Sequence, residues 1–283
     1  MNTKTKILFL LFLFHSLCIF AQDRMDGIAL EDYLVVDSSQ FVVTYEMLQT
    51  RDVQKPSEKV YDYAFLEVGS KISRYHSKYL ISFDSIYTAA LKRGAQGIPP
   101  GNSDLYPFEI FKNHSEKTVQ VFYRARMKGI FSYEEKLNEM IWVMVDEHET
   151  IAGFFCKKAT CSYRGRKWTA WYTTEIPYSE GPWKFCGLPG LILKVEDSKD
   201  EYAFCCINIK RICKPIMVMQ SYFYEKSSKA KVLELEKKSH DDFYGYMTIF
   251  YKSPNIVYDD GRQMTQEEVN KRFNKPYNPI ELE

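Results

Sequence analysis

The chain has 283 residues, 27% of them charged, and its 38 basic residues nearly cancel 37 acidic ones with the two signs interspersed. A near-neutral balance without a basic block argues against nucleic acid or an anionic membrane surface as the main partner. No Pro/Gly/Ser-rich linker or charge block divides the sequence, and a chain of this length is compatible with one domain.

Lys4 and Lys6 precede an apolar stretch from Ile7 to Phe20 that closes on small Ala21, the pattern of a secretory signal in residues 1–21. Its apolar core falls short of the roughly 18 to 20 residues that cross a bilayer, and no later stretch is apolar enough to try. Cys18 follows Ser16-Leu17, which puts a bulky residue where a lipid-attachment motif needs a small one. The expectation is therefore a periplasmic or secreted product cut near Ala21, with no stable membrane insertion, and a single mainly-β domain over residues 22–283. Without the leader, 36 basic residues face 37 acidic ones, since Lys4 and Lys6 go with it.

Aromatic residues make up 16% of the chain, and the 21 tyrosines among them suit strands that line a sheet or a groove. "FVVTYEML", "KVYDYAFLEV" and "KISRYHS" read as an antiparallel meander. "SFDSIYTAALKRG" predicts a helix from Ser82 that ends at Gly94, and "GAQGIPPGNSD" a loop. Strands resume with "TVQVFYRARM". In "EMIWVMVDE" apolar residues occupy both faces, which predicts a central buried strand, and "DEHET" then reads as a turn. "IAGFFCKKATCSY", "RGRK" and "WTAWYTTEIP" form a hairpin with Arg164-Gly165 at its tip.

"GPWKFCGLPGLIL", Gly181 to Leu193, carries two Pro-containing turns around aromatic residues. Gly181-Pro182 makes the first. Pro189-Gly190 fits a type II turn, with Gly190 expected at positive φ and Leu188 held extended before the proline. Leu191, Leu193 and Val195 then share one face of a strand. Trp183, Phe185 and Leu188 fall on a short crossover, either plugging the end of the sheet or lining a ligand groove. Near the C-terminus, "SKAKVLELEKKSHDDFYGYM" has helical spacing, and "TQEEVNKRF" opens with a Thr265-x-x-Glu268 capping box.

Six cysteines follow the leader, all between Cys156 and Cys213, and disulfides are expected in an oxidising compartment. If Ser198-Lys199 is a hairpin tip, position 196 faces about 201 and the ladder brings Cys186 opposite about 211 to 213, which predicts a bond between Cys186 and Cys213. Adjacent Cys205 and Cys206 point to opposite faces, so their partners would be Cys156 or Cys161. No cysteine pair has metal-binding spacing, and no metal or cofactor is implied.

No nucleophile elbow, zinc-protease helix, P-loop or dinucleotide fingerprint is present. Asp146, Glu147, His148 and Glu149 read as a solvated turn, because four consecutive residues cannot converge on one ion from a turn. Asp259-Asp260 and Asp241-Asp242 read as turn and helix cap. Arg164 and Arg166, flanking Gly165, could grip a carboxylate or phosphate.

"KKATCSYRGRKWTAWYTTEIPYSEGPWKFCGLPGLILKVEDSKDEYAF", Lys157 to Phe204, resembles the signature region of the GLPGLI family of exported proteins from Gram-negative bacteria, whose hexapeptide stands unaltered at Gly187 to Ile192. With "MIWVMVDEHETIAGF" before it, the resemblance spans about residues 140–204. It implies a compartment and a fold rather than a chemistry. The layout is similar to the curved, open half-barrel of periplasmic lipoprotein carriers, so the expected fold is α+β, mainly β, with a few covering helices. The leading functional expectation is a non-enzymatic envelope module that binds an apolar ligand or an envelope-protein segment, using Trp183, Phe185, Leu188, Arg164 and Arg166, with Gly181, Pro182, Gly187, Pro189 and Gly190 shaping the turns. The rival is a periplasmic hydrolase whose carboxylates assemble from distant strands.

Overall fold

A computed structural model describes residues 19–20, 27–95, 106–126, 129–137, 140–258 and 260–283. The predicted leader, apart from Ile19–Phe20 (β1), and the loop "GAQGIPPGNSD" beyond Ala95 up to position 105 lie outside the described residues. Strands β2 (Tyr33–Ser38), β3 (Phe41–Thr50), β4 (Lys59–Val68) and β5 (Ile72–Ser77) begin the chain. They lead into α1 (Lys78–Lys92). The expected meander is there, as β3 to β5. The helix starts four residues earlier than predicted, because the Ser77 hydroxyl accepts from the Tyr79 backbone amide and caps it. Gly94 ends it at φ +66°.

Strands β6 (Phe108–Asn113), β7 (Thr118–Arg124), β8 (Ile130–Lys136), β9 (Val143–Ile151), β10 (Phe154–Tyr163) and β11 (Arg166–Thr173) follow. After a long crossover come β12 (Leu191–Asp197), β13 (Tyr202–Lys210), β14 (Pro215–Met219) and β15 (Tyr224–Lys226). Helices α2 (Lys229–Asp241) and α3 (Phe243–Phe250), the short β16 (Ile256–Val257) and α4 (Gln266–Phe273) close the chain. The Thr265–Glu268 capping box forms as the sequence implies.

Twelve strands build one open sheet in the order β15-β8-β7-β6-β5-β4-β3-β13-β12-β11-β10-β9, antiparallel except where β15 runs parallel to β8. The fold is mainly β, and this sheet does not close into a barrel. Period-2 alternation gives it two apolar faces. Tyr45, Leu66, Tyr75, Ile110, Val121 and Tyr123 point to one face, where Val232 and Leu235 of α2 and Tyr246 and Met247 of α3 complete the main core. Phe111, Phe122 and Ile130, one residue out of phase, point to the other and pack with Ile28, Tyr33, Ile216 and Met219 beside the β2–β14 ribbon. The helices therefore fill one face of the sheet instead of leaving it as an open concave surface.

A buried ionic cluster ties the second face to α1. Arg124 donates to Asp84 (Nη1–Oδ1 2.7 Å, Nη2–Oδ2 2.7 Å) and to Glu109 (2.8 Å), while Arg74 donates to Glu109 at 2.6 Å and the Tyr33 hydroxyl to Asp84 at 2.6 Å. Burial alone would raise the Glu109 pKa, but the Arg74 and Arg124 guanidinium groups hold it down to about 2.

Two expectations about strands are corrected. The strand predicted in "EMIWVMVDE" begins only at Val143, as β9, the outermost strand at one edge of the sheet, with Val143 and Met144 exposed. Apolar alternation on both faces was compatible with a central strand, but β9 pairs only with β10, and "DEHET" continues it instead of turning. The turn comes later, at Ala152-Gly153, both at positive φ.

Candidate functional site

The Gly181–Leu193 stretch is built into the interior. Trp183, Phe185 and Leu188 are almost fully buried, with Phe185 edge-on to Trp168 (4.8 Å) and to Trp183 (5.1 Å). Pro182 and Phe185 close a turn through an amide-to-carbonyl bond of 3.0 Å, in which Trp183 takes φ +50°, a conformation that non-glycine residues rarely hold unless the surroundings enforce it. Those surroundings are ionic as well as apolar. The buried Lys112 ammonium donates to the carbonyls of Gly181 (2.9 Å) and Phe185 (3.1 Å) and pairs with Glu180 at 2.6 Å. His114 also bonds Glu180, whose carboxyl is held down to about 2 against its burial by Lys112 and His114. Lys184, one residue from Trp183, is buried against Glu281 and Glu135.

Pro189-Gly190 does not form the expected positive-φ turn. Gly190 is absent from the left-handed region; Gly187, at φ +93°, occupies it instead. Glycine is required at 190 for a different reason: a Cβ there would lie 2.0 Å from the Thr173 carbonyl oxygen, because the crossover meets the end of β11 backbone to backbone. A Cβ added at Gly181 would come within 3.0 Å of the Ile192 Cβ.

The predicted Cys186–Cys213 bond is corrected too. All six cysteines are free thiols. Position 196 faces Ala203 rather than 201, and β12 pairs with β13 only from Lys194–Cys205 to Glu196–Ala203. Cys186 turns back instead to bridge Glu180, while Cys213 lies exposed past the end of β13.

Arg164 and Arg166 serve their own chain. Arg166 is buried and donates to Asp197 (2.7 Å), Glu201 (2.6 Å), the Asn278 side chain (2.8 Å) and the carbonyls of Pro279 (2.6 Å) and Ile280 (3.1 Å). Arg164 pairs with Glu135 at 2.7 Å, and its carbonyl accepts from Leu282. Together they fasten the C-terminal segment, whose docking leaves no periodic signal in the chain.

A surface groove of ligand size lies elsewhere, and it arises from the way β12 and β13 part. Past Cys205, β13 bulges between Cys206 and Asn208 and stays with β3, while β12 starts beneath the segment Ile176–Glu180, whose carbonyls accept from Leu191 (3.0 Å, from Ile176) and Ile192 (2.8 Å, from Glu180). The resulting groove has a volume of about 640 Å³, within the range of small-ligand and peptide sites. Ile207, Asn208, Ile209 and Arg211 form one side; Glu175, Ile176, Pro177 and Tyr178 form the other, with Phe154 and Ala152 from the β9–β10 hairpin. Tyr178 is fixed edge-on against Phe41 at 4.9 Å. None of the groove residues stood among the sequence candidates. The bulge and the diverging register that create it leave no mark in hydropathy.

A second, much smaller cavity, about 50 Å³, lies between the sheet and the C-terminal segment and is lined by Tyr106, Tyr123, Tyr202, Tyr277 and Glu236. It has room for a few waters but not for a substrate. Burial, with the Glu281 charge adding, pushes the Glu236 carboxyl up to about 8, although the Tyr277 hydroxyl donates to it at 3.1 Å. The folded protein thus keeps a proton that the unfolded chain releases near its ordinary value of 4.5. Stability from this group is complete below about pH 4.5 and is lost as pH rises through about 8, on the order of 2 kcal/mol after allowance for partial exposure. Denaturant unfolding at pH 5 and pH 8 should show that decline shrink in Glu236→Gln; an unchanged decline would contradict the assignment.

The remaining candidates stay apart. Asp146 to Glu149 are spread along β9 and exposed, and among the described residues no group of three or more His, Cys, Asp and Glu is placed to hold a metal. Asp242 caps α3 through the Gly245 amide, Asp260 accepts from the Arg262 amide, and Asp259 lies outside the described residues.

A family model described as "Protein of unknown function (Porph_ging)" matches residues 163–194, the stretch from the β10–β11 turn through the crossover to β12. No curated protein matches the chain. Among solved structures, PNGF-II in its P21 crystal form is similar with 16% identity and a TM-score of 0.47 over 70% of this chain and 33% of that one; its C2 form gives the same identity and TM-score, over 32% of its length. The chain thus spans about a third of the proteins it resembles in structure, and a likeness this partial carries no functional argument.

Burial makes the matched stretch structural. Trp183→Ala should cost about 3 to 5 kcal/mol, because it empties a site packed by Tyr163, Trp168 and Phe185. Thermal unfolding beside Leu191→Ala checks this; a Trp183→Ala protein as stable as the parent would return the loop to the surface.

Proposed function

We propose that this protein is a binding module of the cell envelope, exported by its N-terminal leader, that takes an apolar ligand or partner segment in the groove between β13 and Ile176–Tyr178. The groove itself carries the reading: it is a cavity of about 640 Å³ with apolar walls from Phe154, Ile176, Ile207 and Ile209, standing beside a buried signature loop. The leader pattern and the resemblance to the GLPGLI family support the compartment, and no described helix is long and apolar enough to cross a membrane. The hydrolase reading has less support. Among the described residues, the carboxyl raised furthest, Glu236, faces a cavity of water size.

The test is titration with anilinonaphthalene sulfonate, an apolar fluorescent probe. Binding should fall at least tenfold in Ile207→Lys, whose side chain is half exposed and can change without unfolding the sheet, and stay unchanged in Leu34→Lys on the β2 ribbon. Equal binding by both variants would remove the groove from the account.

A further inference from the structure

We infer that the groove recognises an extended segment of a partner polypeptide, which adds as a strand to the open edge of β13 and places an acidic side chain beside Arg211. This rests on the proposed binding at the groove and names its occupant.

The backbone decides the class. Residues Cys206 to Lys210 are paired with β3 on one side, at Cys206–Tyr45, Asn208–Thr44, Ile209–Val43 and Lys210–Val42. On the other side the ladder to β12 ends at Cys205, and no described strand takes its place. A strand edge of this kind presents unmatched amide and carbonyl groups in a row, which a lipid chain or a sterol cannot satisfy and an extended peptide can. Covering the edge with apolar ligand alone would bury those groups unpaired, at a cost that favours a peptide.

The opposite wall explains why the chain's own β12 does not close the gap. Ile176 and Glu180 already accept from Leu191 and Ile192, so the start of β12 is bonded to the crossover and held away from β13. Between the two walls, Ile176, Ile207 and Ile209 give apolar contacts to alternate side chains of an inserted strand.

Charge sets the end preference. Arg211 lines the groove, is exposed, and makes no ion pair with any described residue; Lys210 and Lys214 flank it. Glu175, on the other wall, is engaged by the Phe155 amide at 3.1 Å. The lining residues Ala152, Pro177, Asn208 and Arg211 are all exposed, which suits passage of an internal segment with a side-chain carboxylate rather than a terminus.

The experiment is selection of a random heptapeptide library, capped at both ends, on the purified protein, followed by an N-methyl scan of the enriched peptides. Expected are sequences with apolar residues at every second position and an Asp or Glu, whose affinity drops at least tenfold on N-methylation at alternate positions only, and again on Arg211→Glu. Peptides that tolerate N-methylation everywhere, or need no acid, overturn strand addition. Failure to enrich any peptide by a protein that still binds the apolar probe overturns this inference and leaves the groove as an apolar ligand site. A protein that takes up neither sinks both readings.

Discussion

Gly190→Ala is expected to be among the most damaging single-methyl changes in the protein, costing about 3 kcal/mol or more and abolishing a cooperative thermal transition if the fold has less than that to spare. The added carbon would sit 2.0 Å from the Thr173 carbonyl oxygen and 2.8 Å from its carbon, both backbone atoms of a strand held in register by the Thr173–Leu191 pair. No rotamer change relieves a backbone clash, so β11 and the crossover must separate. The comparison that identifies this cause is Gly187→Ala. There the obstacle is the φ of +93°, with Trp142 only as near as 3.5 Å, so the expected loss is on the order of 1 to 2 kcal/mol. Thermal unfolding of the two variants side by side should rank 190 well above 187, and the reverse order would mean that turn conformation dominates after all.

Arg124→Met is expected to cost about 3 to 5 kcal/mol, since it leaves Asp84 and Glu109 buried with too little positive charge around them. Arg74 still serves Glu109, but Asp84 is left with the Tyr33 hydroxyl and the Ile28 amide alone. Adding Asp84→Asn to Arg124→Met should therefore recover part of the loss, because the damage comes from an uncompensated charge more than from lost packing. Urea unfolding of the single and double variants measures this; a double variant worse than the single one would contradict it.

These effects show where the sequence was legible. Strands β3, β4, β5 and β7, the helix ended by Gly94, the "RGR" hairpin tip and the α4 capping box depend on local periodicity and turn chemistry, and the chain states them openly. The position of β9 was not legible, because a two-faced apolar strand looks the same at the centre of a sheet as at an edge whose neighbour is missing. At Gly190 the chain shows the need for glycine but not its cause: a turn motif shows in "LPG", whereas the approach of Thr173, seventeen residues earlier in the chain, does not. Lys112 and Lys184 are buried cations, and a lysine standing inside "GPWKFCGL" was the available signal for one of them. The groove depended on a bulge and a three-pair ladder, both products of tertiary register.

The stretch around the hexapeptide Gly187 to Ile192 holds the fold together, while the β13 edge is free to bind. Residue-resolved amide hydrogen exchange on the free protein tests both halves at once. The amides of Phe185, Leu191 and Ile192, bonded to Pro182, Ile176 and Glu180, should exchange as slowly as those of the β3–β4 ladder, and the groove-facing amides between Cys206 and Lys210 should exchange orders of magnitude faster. Fast exchange across Trp183 to Ile192 together with full protection along β13 would contradict the account.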